Sequence, residues 1–523
     1  MLPIAEKIMN KQKYFRHLRL ALVSVGAVFG FLATPSYAQL DSLKLRQDSM
    51  QVVDQTFTLD EFFSHILTHH PIVMRANLFD DMAFQDLRMA RGMLDPTIQS
   101  AFDIKDYKGT RYYQNWDSRL KIPMWFPIDL EVGYEQNDGR FLNPEQQNTE
   151  DGLIYAGFSI PVGRGLFIDQ RRAAIRQARL MQDLAEADQV KEINKLLFDA
   201  AKSYWNWYYA YQEYEIISEI ENAALQRYDG VVQQVINGDV APFDSLKAFI
   251  NYQERDNQRL QARLDLENAR LAVSVFLWAG TQEEGTNVLP LELAENTWPV
   301  LDESEEVNIE LLSALQELAM EAHPELRKIT AKFQQTEIDR RLALEFLKPQ
   351  IDLKYNFLSE TVSELRPSNG NGNGNGGDQP FFFNDYKAGV QFYFPLFLRK
   401  ERGKLAQTNI KLEQLYFEQS YQRQLIANGV LTTYNTLENL AEIIDQQTRM
   451  VDYYEQLLNG ELRKFEFGES SIFLINTRET ELLDARIKLL KLQTQREKSE
   501  AELYYEAGVP NLSLAATETG DTE

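Results

Sequence analysis

The sequence predicts an internally duplicated membrane protein of the α+β class, with long antiparallel α-helical hairpins and antiparallel transmembrane β-strands. Three observations lead to this prediction. Landmarks recur at nearly constant offsets along the 523 residues, two segments have the apolar spacing of helices close to 70 residues long, and shorter segments alternate apolar and polar residues. One copy of the repeat has no evident way to bury its own helices and strands, so we expect both copies to form a single structure.

The first 38 residues have the features of an export signal. A basic head precedes 14 apolar residues at 20–33, and the small-x-small sequence "SYA" ends at Ala38. The apolar run is shorter than a membrane-spanning helix, and Pro35 follows it. We therefore expect export through the Sec pathway and cleavage before Gln39. The basic residues of the head are Lys7, Lys11, Lys13, Arg16 and Arg19.

Composition excludes several classes of site. The chain has no cysteine, which rules out disulfides, thiolate metal sites and a lipid anchor on an N-terminal cysteine. Beyond residue 38 it keeps 49 basic and 77 acidic residues, a net charge of −28, and this acidity argues against nucleic acid as a partner. That part of the sequence also has no run of 18 apolar residues, so we expect no transmembrane helix in it.

The duplication is visible as a stepwise drift in the offset between matching segments. "HHPIVMR" at 69–75 returns as "AHPELRK" at 322–328, an offset of 253. "FSIPV" at 158–162 returns as "FYFPL" at 392–396, where the offset is 234. It then stays at 230 for Arg172/Arg402, Tyr204/Tyr434 and Gly238/Gly468. Two copies of one unit, differing by short insertions, account for this drift.

Each unit begins with a helical region that ends at a proline. Thr58 and Glu61 form a capping-box pattern at the start of the first helix. A second helix is predicted from about 72 to 94, before Pro96. Strands come next, and a helical hairpin closes the unit. The predicted hairpin helices are about 168–236 and 242–278 in the first unit, and about 400–465 and 472–506 in the second.

The long helices have the spacing of a coiled coil. A helix of this length would reach on the order of 100 Å, far beyond a compact domain. Its apolar positions are separated by three and four residues, and several are alanines that permit close helix packing. Gly238 and Gly468 permit the tight turns at the hairpin tips. Examples of the apolar positions are Ile175, Ala178, Leu184, Ala187, Leu197, Ala201, Tyr204, Tyr208 and Tyr211.

The strand regions have one apolar and one polar face. In "IDLKYNF" at 351–357, "IYAGFSI" at 154–160 and "YKAGVQFYF" at 386–394, apolar residues occupy every second position. This dyad pattern is typical of a transmembrane β-barrel, although a soluble sandwich alternates equally well. The long helices argue against the sandwich, because no sandwich face would cover them. A possible aromatic girdle at the lipid headgroups consists of Trp116, Trp125, Phe126, Phe381, Phe382 and Phe383.

The order of helix, strands, long helix, glycine tip and helix, present twice, resembles the TolC-like outer-membrane efflux protein family. The resemblance covers about 58–508. It is carried locally by "IPVGRGLFIDQRRAAIRQA" at 160–178 and by the two tips, "INGDVAPFDSLKA" at 236–248 and "FEFGESSIFLINTR" at 465–478. None of these segments is diagnostic alone; the duplicated order with helices of this length is the specific signal.

The resemblance implies a homotrimer whose protomers share one β-barrel in the outer membrane and one α-helical barrel across the periplasm. It also implies a periplasmic adaptor protein and an inner-membrane pump as partners, outer-membrane lipid around the barrel, and no cofactor. The adaptor would dock on the hairpin tips, although these residues could serve only as turns. The implied docking residues are Asn237, Gly238, Asp239, Phe467, Gly468 and Glu469.

The first unit departs from the family pattern of two strands per unit. It has 65 residues between Pro96 and Pro161, whereas the second unit needs about 45 for its strands. The extra segment contains the alternating stretches "RLKI" at 119–122 and "IDLEVGY" at 128–134. It could add a hairpin, giving six strands per protomer, or it could form a plug or an external flap.

These arguments divide the chain into four parts: a signal peptide (1–38), a first repeat unit (39–308), a second repeat unit (309–508) and an acidic tail (509–523). The first unit is subdivided into barrel strands at 97–161, a coiled-coil hairpin at 165–278 and an equatorial linker at 279–308. The second has strands at 350–395 and a coiled-coil hairpin at 400–506.

Acidic side chains near the tips form a candidate gate. In a trimer each would become a ring of three carboxylates, which favours cations in a narrow pore. Solubility alone is the alternative explanation. The candidate gate residues are Asp239, Asp244, Glu466 and Glu469.

Other signals have simpler explanations. "GNGNGG" at 372–377 matches a dinucleotide-binding pattern but lies in a low-complexity loop before a strand. His65 and His69 share a helical face without a third ligand at fixed spacing, and His70-Pro71 marks a helix boundary. "SYWNWYYAYQEY" at 203–214 places tyrosines on one helical stripe, which favours packing over a substrate cage.

No catalytic motif is present, and we expect a protein that is not an enzyme. The predicted function is the outer-membrane channel of a tripartite efflux or type I secretion system in a Gram-negative bacterium. Such a channel would conduct solutes passively from the pump and adaptor to the exterior. The alternative is a soluble periplasmic coiled-coil scaffold or chaperone.

Overall fold

A computed structural model describes residues 56–142, 152–238, 240–280, 288–294, 296–301, 309–359 and 385–509. Several predicted features lie outside the described residues: the export signal, Asp239, the glycine-rich loop with Phe381, Phe382 and Phe383, and the acidic tail from residue 510. In the described part, no helix has both the length and the apolar composition needed to cross a membrane.

The described chain contains eight helices and ten strands, arranged as two copies of one unit. The helices are α1 (Leu59–His69), α2 (Pro71–Gly92), α3 (Gln170–Asn237), α4 (Pro242–Ser274), α5 (Ile309–Ala322), α6 (Pro324–Glu345), α7 (Arg399–Glu466) and α8 (Ile472–Ala507). The strands are β1 (Thr56–Phe57), β2 (Thr97–Tyr107), β3 (Thr110–Pro123), β4 (Asp129–Asp138), β5 (Leu153–Pro161), β6 (Trp278–Gly280), β7 (Val288–Pro290), β8 (Trp298–Pro299), β9 (Gln350–Ser359) and β10 (Tyr386–Tyr393).

The two long helices have the length expected from the apolar spacing. Both α3 and α7 contain 68 residues, which corresponds to about 100 Å. Helix α3 begins at its N-cap Asp169, whose carboxylate accepts a 2.8 Å hydrogen bond from the Arg172 N–H. It ends at Gly238, where φ is 83°. Gly468, just beyond α7, has φ of 76°, so both tips use the left-handed conformation that glycine adopts readily.

The helices pack side by side in the order α2, α3, α6, α7. Helix α3 contacts α2 and α4 of its own unit and also α6 and α8 of the second unit. Helix α7 packs against α5, α6 and α8 of its own unit. Tyr204 and Trp207 of α3 are fully buried, and the Tyr204 hydroxyl lies 2.8 Å from the Phe57 carbonyl oxygen. Tyr204 of the predicted tyrosine stripe is therefore a packing residue.

The sheet consists of six strands in the order β10-β9-β5-β4-β3-β2, with antiparallel neighbours throughout. The extra segment of the first unit supplies parts of β3 and β4, which pair with each other from Gln114 to Pro123 and Asp129 to Asp138. It is therefore a hairpin within the sheet rather than a plug or a flap. Two further pairings lie where the linker between the repeats is expected: β6 with β7, and β8 with β1.

A buried carboxylate joins the sheet to the helices. Glu345, at the end of α6, is 4% exposed and accepts hydrogen bonds from the backbone N–H groups of Gly165 (3.2 Å) and Phe167 (3.3 Å). The Lys348 ammonium lies 2.6 Å from its other oxygen. The Arg164 guanidinium stacks 3.6 Å from the centre of the Phe346 ring. This cluster fixes the chain where it leaves β5 for α3, because each polar group of Glu345 has a partner.

The His-Pro sequences are helix caps in both units. His70 is the N-cap of α2, and its Nδ1 accepts a 3.1 Å hydrogen bond from the Ile72 N–H. His323 is the N-cap of α6, and its Nδ1 accepts a 3.1 Å hydrogen bond from the Glu325 N–H. A proline follows each histidine at the first helical position, where its missing N–H costs nothing. The boundary interpretation of these histidines thus has a direct structural cause.

Candidate functional site

One face of the sheet carries an unbroken apolar row across all six strands. The pairing register places one residue from each strand at the same height, and every one of them is apolar. From β2 to β10 the row is Ile98, Leu120, Val132, Ala156, Phe357 and Tyr386. A parallel row two residues away contains Ile122, Leu130, Phe158, Tyr355 and Ala388.

Nothing else in the described chain covers this face. Ile98 is 82% exposed, Val390 is 71% exposed and Phe392 is 66% exposed. Large apolar side chains exposed over a whole sheet face indicate contact with another apolar phase. Alternation that is apolar outward is the pattern of a strand in lipid.

The opposite face carries a row of polar residues and glycine at the next position along each strand. From β2 to β10 this row is Thr97, Lys121, Glu131, Gly157, Asn356 and Lys387. Charges on this face pair with one another: Arg119 lies 3.3 Å from Glu131, and Lys121 lies 3.1 Å from Asp129. Charged and polar groups on one face of a barrel strand belong in an aqueous interior.

Tyr155 is the one buried aromatic side chain on this polar face. It is 6% exposed, and its hydroxyl donates a 3.0 Å hydrogen bond to Asp117. Its ring lies over Gly133, where a Cβ would approach the Tyr155 Cζ to 2.3 Å. Gly133 is therefore required here, because a side chain at this position would clash with the Tyr155 ring.

The described members of the predicted aromatic girdle lie at two different heights. Trp125 and Phe126 are in the turn between β3 and β4, with ring centres 5.3 Å apart, and Trp125 is 75% exposed. Trp116 instead lies inside β3, opposite Phe102 and Gln136. The difference arises because β3 has 14 residues and continues well beyond the alternating stretch that the sequence analysis recognised.

The hairpin tips are exposed turns with similar geometry. Asn237 and Gly238 end α3, and Phe467, Gly468 and Glu469 follow α7. The Glu469 N–H donates a 2.9 Å hydrogen bond to the Lys464 carbonyl oxygen, which closes the second tip. All five of these residues are exposed, so both tips offer accessible surface to a partner.

Two exposed phenylalanines at the tips were missed by the sequence analysis. Phe243 is 63% exposed and Phe473 is 70% exposed, and the two positions are separated by the offset of 230. Phe467 is 81% exposed beside the second of them. The repeat offset would have revealed the pair, because a duplicated aromatic in the first turn after each tip is unusual on a solvated surface.

The acidic gate residues have different surroundings. Asp244 accepts a 3.1 Å hydrogen bond from Lys247, so its charge is balanced within α4. Glu466 and Glu469 are exposed beside the second tip. Among the described residues no cluster of three or more His, Asp or Glu side chains is arranged to bind a metal ion.

Comparison with protein families gives one match. Residues 315–509 match the model of the outer membrane efflux protein family. This range begins in α5 and covers the rest of the second unit, and it bears out the resemblance predicted from the duplicated sequence. A search of curated proteins finds no match.

Solved structures share the fold over most of the chain. The Campylobacter jejuni CmeC outer membrane channel has a TM-score of 0.59 and 12% identity, with 88% of this chain and 89% of that chain covered. The outer membrane protein VceC from Vibrio cholerae has a TM-score of 0.58 and 14% identity, with 86% and 96% covered. The open state of the Neisseria gonorrhoeae MtrE outer membrane channel has a TM-score of 0.57 and 14% identity, with 86% and 89% covered.

Proposed function

We propose that this chain is the outer-membrane channel of a tripartite efflux or type I secretion system. Its second repeat unit matches the model of the outer membrane efflux protein family. It conducts solutes passively, without catalysis. Its sheet lies in the outer membrane of a Gram-negative bacterium, and its helices project into the periplasm.

The six-strand sheet with one apolar and one polar face is the observation that carries this function. Its strands have 8 to 14 residues, and a tilted strand needs about 9–11 to cross a bilayer. The apolar rows face hydrocarbon and the polar rows face water in this arrangement. We propose that Trp125 and Phe126 contact lipid headgroups at the periplasmic rim. The exposed apolar face argues against a soluble scaffold.

The open edges of the sheet support a homotrimer. Strands β2 and β10 each have a pairing partner on one side only, and unpaired strand edges are not tolerated in hydrocarbon. Three copies that pair β10 of one protomer with β2 of the next would close a barrel of 18 strands. Closed cyclic symmetry removes every edge.

We propose that the tips dock the periplasmic adaptor of an inner-membrane pump. Asn237, Gly238 and Asp239 form one docking turn, and Phe467, Gly468 and Glu469 form the other. The exposed Phe243 and Phe473 supply an apolar contact beside each turn. Aromatic side chains of this kind are common anchors at protein interfaces.

We also propose an acidic gate at the same end of the channel. Rings of Asp239, Glu466 and Glu469 favour cations in a narrow pore, whereas Asp244 contributes less because Lys247 balances it. Neutralising Asp239 and Glu469 together should reduce cation selectivity in planar-bilayer recordings. Unchanged reversal potentials would contradict the gate and leave the channel function intact.

The channel function is tested by fractionation and reconstitution of the full chain. We expect it in the outer-membrane fraction, extractable only with detergent, and producing stepwise conductance in planar bilayers. A chain that remains monomeric and dissolved in plain buffer, with no affinity for vesicles, would overturn the proposal.

A further inference from the structure

The two long helices are buried at equivalent positions, but α3 is buried at more of them. Every buried residue of α7 has a buried counterpart in α3 exactly one repeat offset, 230 residues, earlier. The buried residues of α7 are Thr408, Leu415, Ile426, Val430, Thr433, Leu437, Leu440, Gln447 and Val451. Their counterparts in α3 are Ala178, Ala185, Leu196, Ala200, Ser203, Trp207, Ala210, Ile217 and Glu221.

Helix α3 also has a second buried face, and α7 exposes the equivalent one. Ala187 is fully buried in α3, whereas Phe417, its counterpart in α7, is 61% exposed. Ile220 packs against Leu483 of α8, whereas its counterpart Met450 is 42% exposed. The face of α3 is covered by α6 and α8 of the second unit. In the described chain, α2 and α4 of the first unit do not cover the equivalent face of α7.

The first unit shows the complementary exposure. Phe249 and Leu260 of α4 are 40% and 49% exposed, whereas their counterparts in α8, Glu479 and Leu490, are 5% and 4% exposed. Leu78 of α2 is 55% exposed, and Ala331, the equivalent residue of α6 at the offset of 253, is 4% exposed. One face of α2 and α4 is therefore uncovered where α6 and α8 are buried against α3.

We infer that the exposed face of α7 receives α2 and α4 of a neighbouring copy in the same register by which α3 receives α6 and α8 within the chain. This inference rests on the proposed trimeric channel and names the residue pairs that hold it together. The occupant is a second copy of this chain, because the duplication makes the two uncovered surfaces match. The exposed face of α7 corresponds to the face of α3 that α6 and α8 cover, and the exposed faces of α2 and α4 correspond to the faces of α6 and α8 that α3 covers. Such a head-to-tail interface closes a ring of identical subunits.

Contacts within the chain then specify contacts between copies. Gln177 donates a 2.7 Å hydrogen bond to Asp339, between α3 and α6. One repeat away the residues are again glutamine and aspartate, Gln407 in α7 and Asp86 in α2. Gln407 of one copy therefore bonds Asp86 of the neighbouring copy.

A second pair has opposite charges at both sets of positions, with the positions of the positive and negative residues exchanged. Glu219 of α3 and Arg486 of α8 form a 3.2 Å ion pair. Their equivalents are Arg449 of α7 and Asp256 of α4, so Arg449 of one copy faces Asp256 of the neighbouring copy. Among the described residues, Arg449 pairs with Asp445 and Asp256 pairs with Arg259, each within its own helix. Exposed pairs of this kind contribute little to stability.

A third pair is charged within the chain, and its equivalent between copies is apolar. Arg227 and Glu479 form a largely buried ion pair between α3 and α8. The equivalent residues are Leu457, 49% exposed, and Phe249 of the neighbouring copy, 40% exposed. Both members of this equivalent pair are apolar, so the pair leaves no unpaired charge at the interface.

The absence of cysteine permits a direct test with paired cysteines. The variant Gln407→Cys/Asp86→Cys, treated in outer membranes with a short bis-maleimide, should give covalent dimers and trimers on denaturing gels. The matched control is Gln177→Cys/Asp339→Cys, which should react within one chain and add no mass of a second chain. The mismatched pair Gln407→Cys/Asp256→Cys should not cross-link, because Gln407 and the proposed partner of Asp256, Arg449, are about 60 Å apart along α7.

Charge reversal supplies an independent measurement. Arg449→Glu should lower the fraction of trimer that survives mild detergent, and adding Asp256→Arg should restore it. No cross-linking of the 407/86 pair while the 177/339 pair reacts would overturn the register. If such a protein still conducts in planar bilayers, only the register fails. A wild-type chain that is monomeric in outer membranes and does not conduct would overturn both the register and the channel function.

Discussion

At the residue scale, the helix cap at each His-Pro sequence depends on a neutral imidazole ring. His323 caps α6 through Nδ1, which can accept a hydrogen bond only when it carries no proton. Burial lowers the pKa of His323 below its ordinary value of 6.5, and Lys191 adds to this while Glu325 opposes it. Burial also lowers the pKa of His70. The caps are therefore fully formed above pH 6.5 and weaken as the pH falls below it through the folded-state pKa.

We predict that His323→Ala lowers the stability of the protein by about 1 kcal/mol at pH 7.5, because the α6 N-terminus loses its cap. His323→Asn should be nearly neutral at that pH, since asparagine caps equally well, and should reduce the loss of stability between pH 7.5 and 5.5. Thermal unfolding of the detergent-solubilised protein at the two pH values measures both effects. An asparagine variant that is as pH-sensitive as wild type would contradict the role of His323 protonation.

The tip glycines give a second prediction at this scale. Gly468 has φ of 76° and no atom within 4 Å of a Cβ position, so the cost of Gly468→Ala is conformational alone, about 1 kcal/mol. Gly460 also has open space but lies inside α7 at helical φ, so Gly460→Ala should stabilise the same hairpin by up to about 1 kcal/mol. Hydrogen exchange across the tip should become faster in the first variant and slower in the second.

Local chemistry explains which single residues could be predicted from the sequence. Gly238 and Gly468 punctuate helical patterns, and the His-Pro dipeptides mark boundaries, so both follow from a few neighbouring residues. Glu345 was not predicted, because its partners Gly165 and Phe167 are 180 and 178 residues away. Its counterpart in the first unit at the offset of 253 is Gly92, so the duplication carried no signal for it.

The sequence predicted which residues of each strand lie on the apolar face and which on the polar face. It did not determine how many strands the sheet contains. A period of two assigns each strand residue to a face whatever it pairs with. Whether the extra segment joins the sheet depends on pairing between β3, β4 and β5, which are brought together only by the fold. Alternation in 119–122 and 128–134 was therefore compatible with a hairpin, a plug or a flap.

Adjacent residues of β4 test the two faces of the sheet. Val132→Lys places an ammonium in the apolar row and should destabilise the membrane-inserted sheet by about 2 kcal/mol or more. Glu131→Lys places the same group in the polar row, so we expect normal trimers with a shift towards anion selectivity. Heat-modifiable mobility on gels and reversal potentials in bilayers separate the two results. Equal assembly of both variants would contradict the assignment of lipid and water to these faces.

At the scale of the whole molecule, docking and conduction are separable. Phe243→Ser/Phe473→Ser removes the exposed aromatics beside both tips without touching the sheet. We expect at least a several-fold loss of adaptor recovered after cross-linking in the native host, with unchanged conductance in planar bilayers. Serines at the less exposed tip residues Val235 and Val240 provide a control for general loosening of the hairpin. Full adaptor recovery in the first variant would contradict docking through these side chains.

The overall architecture was predictable because the chain is duplicated. Offsets of 253, 234 and 230 revealed the repeat. Apolar spacing typical of helices close to 70 residues long restricted the architecture to one that extends far beyond a compact domain. The exposed faces of α4 and α7 could not be identified from the sequence, since a coiled-coil stripe predicts burial without saying which chain provides it.

The hairpin of β3 and β4 also affects the outer opening. The diameter of a barrel grows roughly in proportion to its strand number, so 18 strands in place of 12 give a cross-section about 2.25 times as large. The helical section gains no helix from this hairpin, and its width is set by the same helices as before. In the proposed trimer the hairpin therefore widens the β-barrel without widening the helical section.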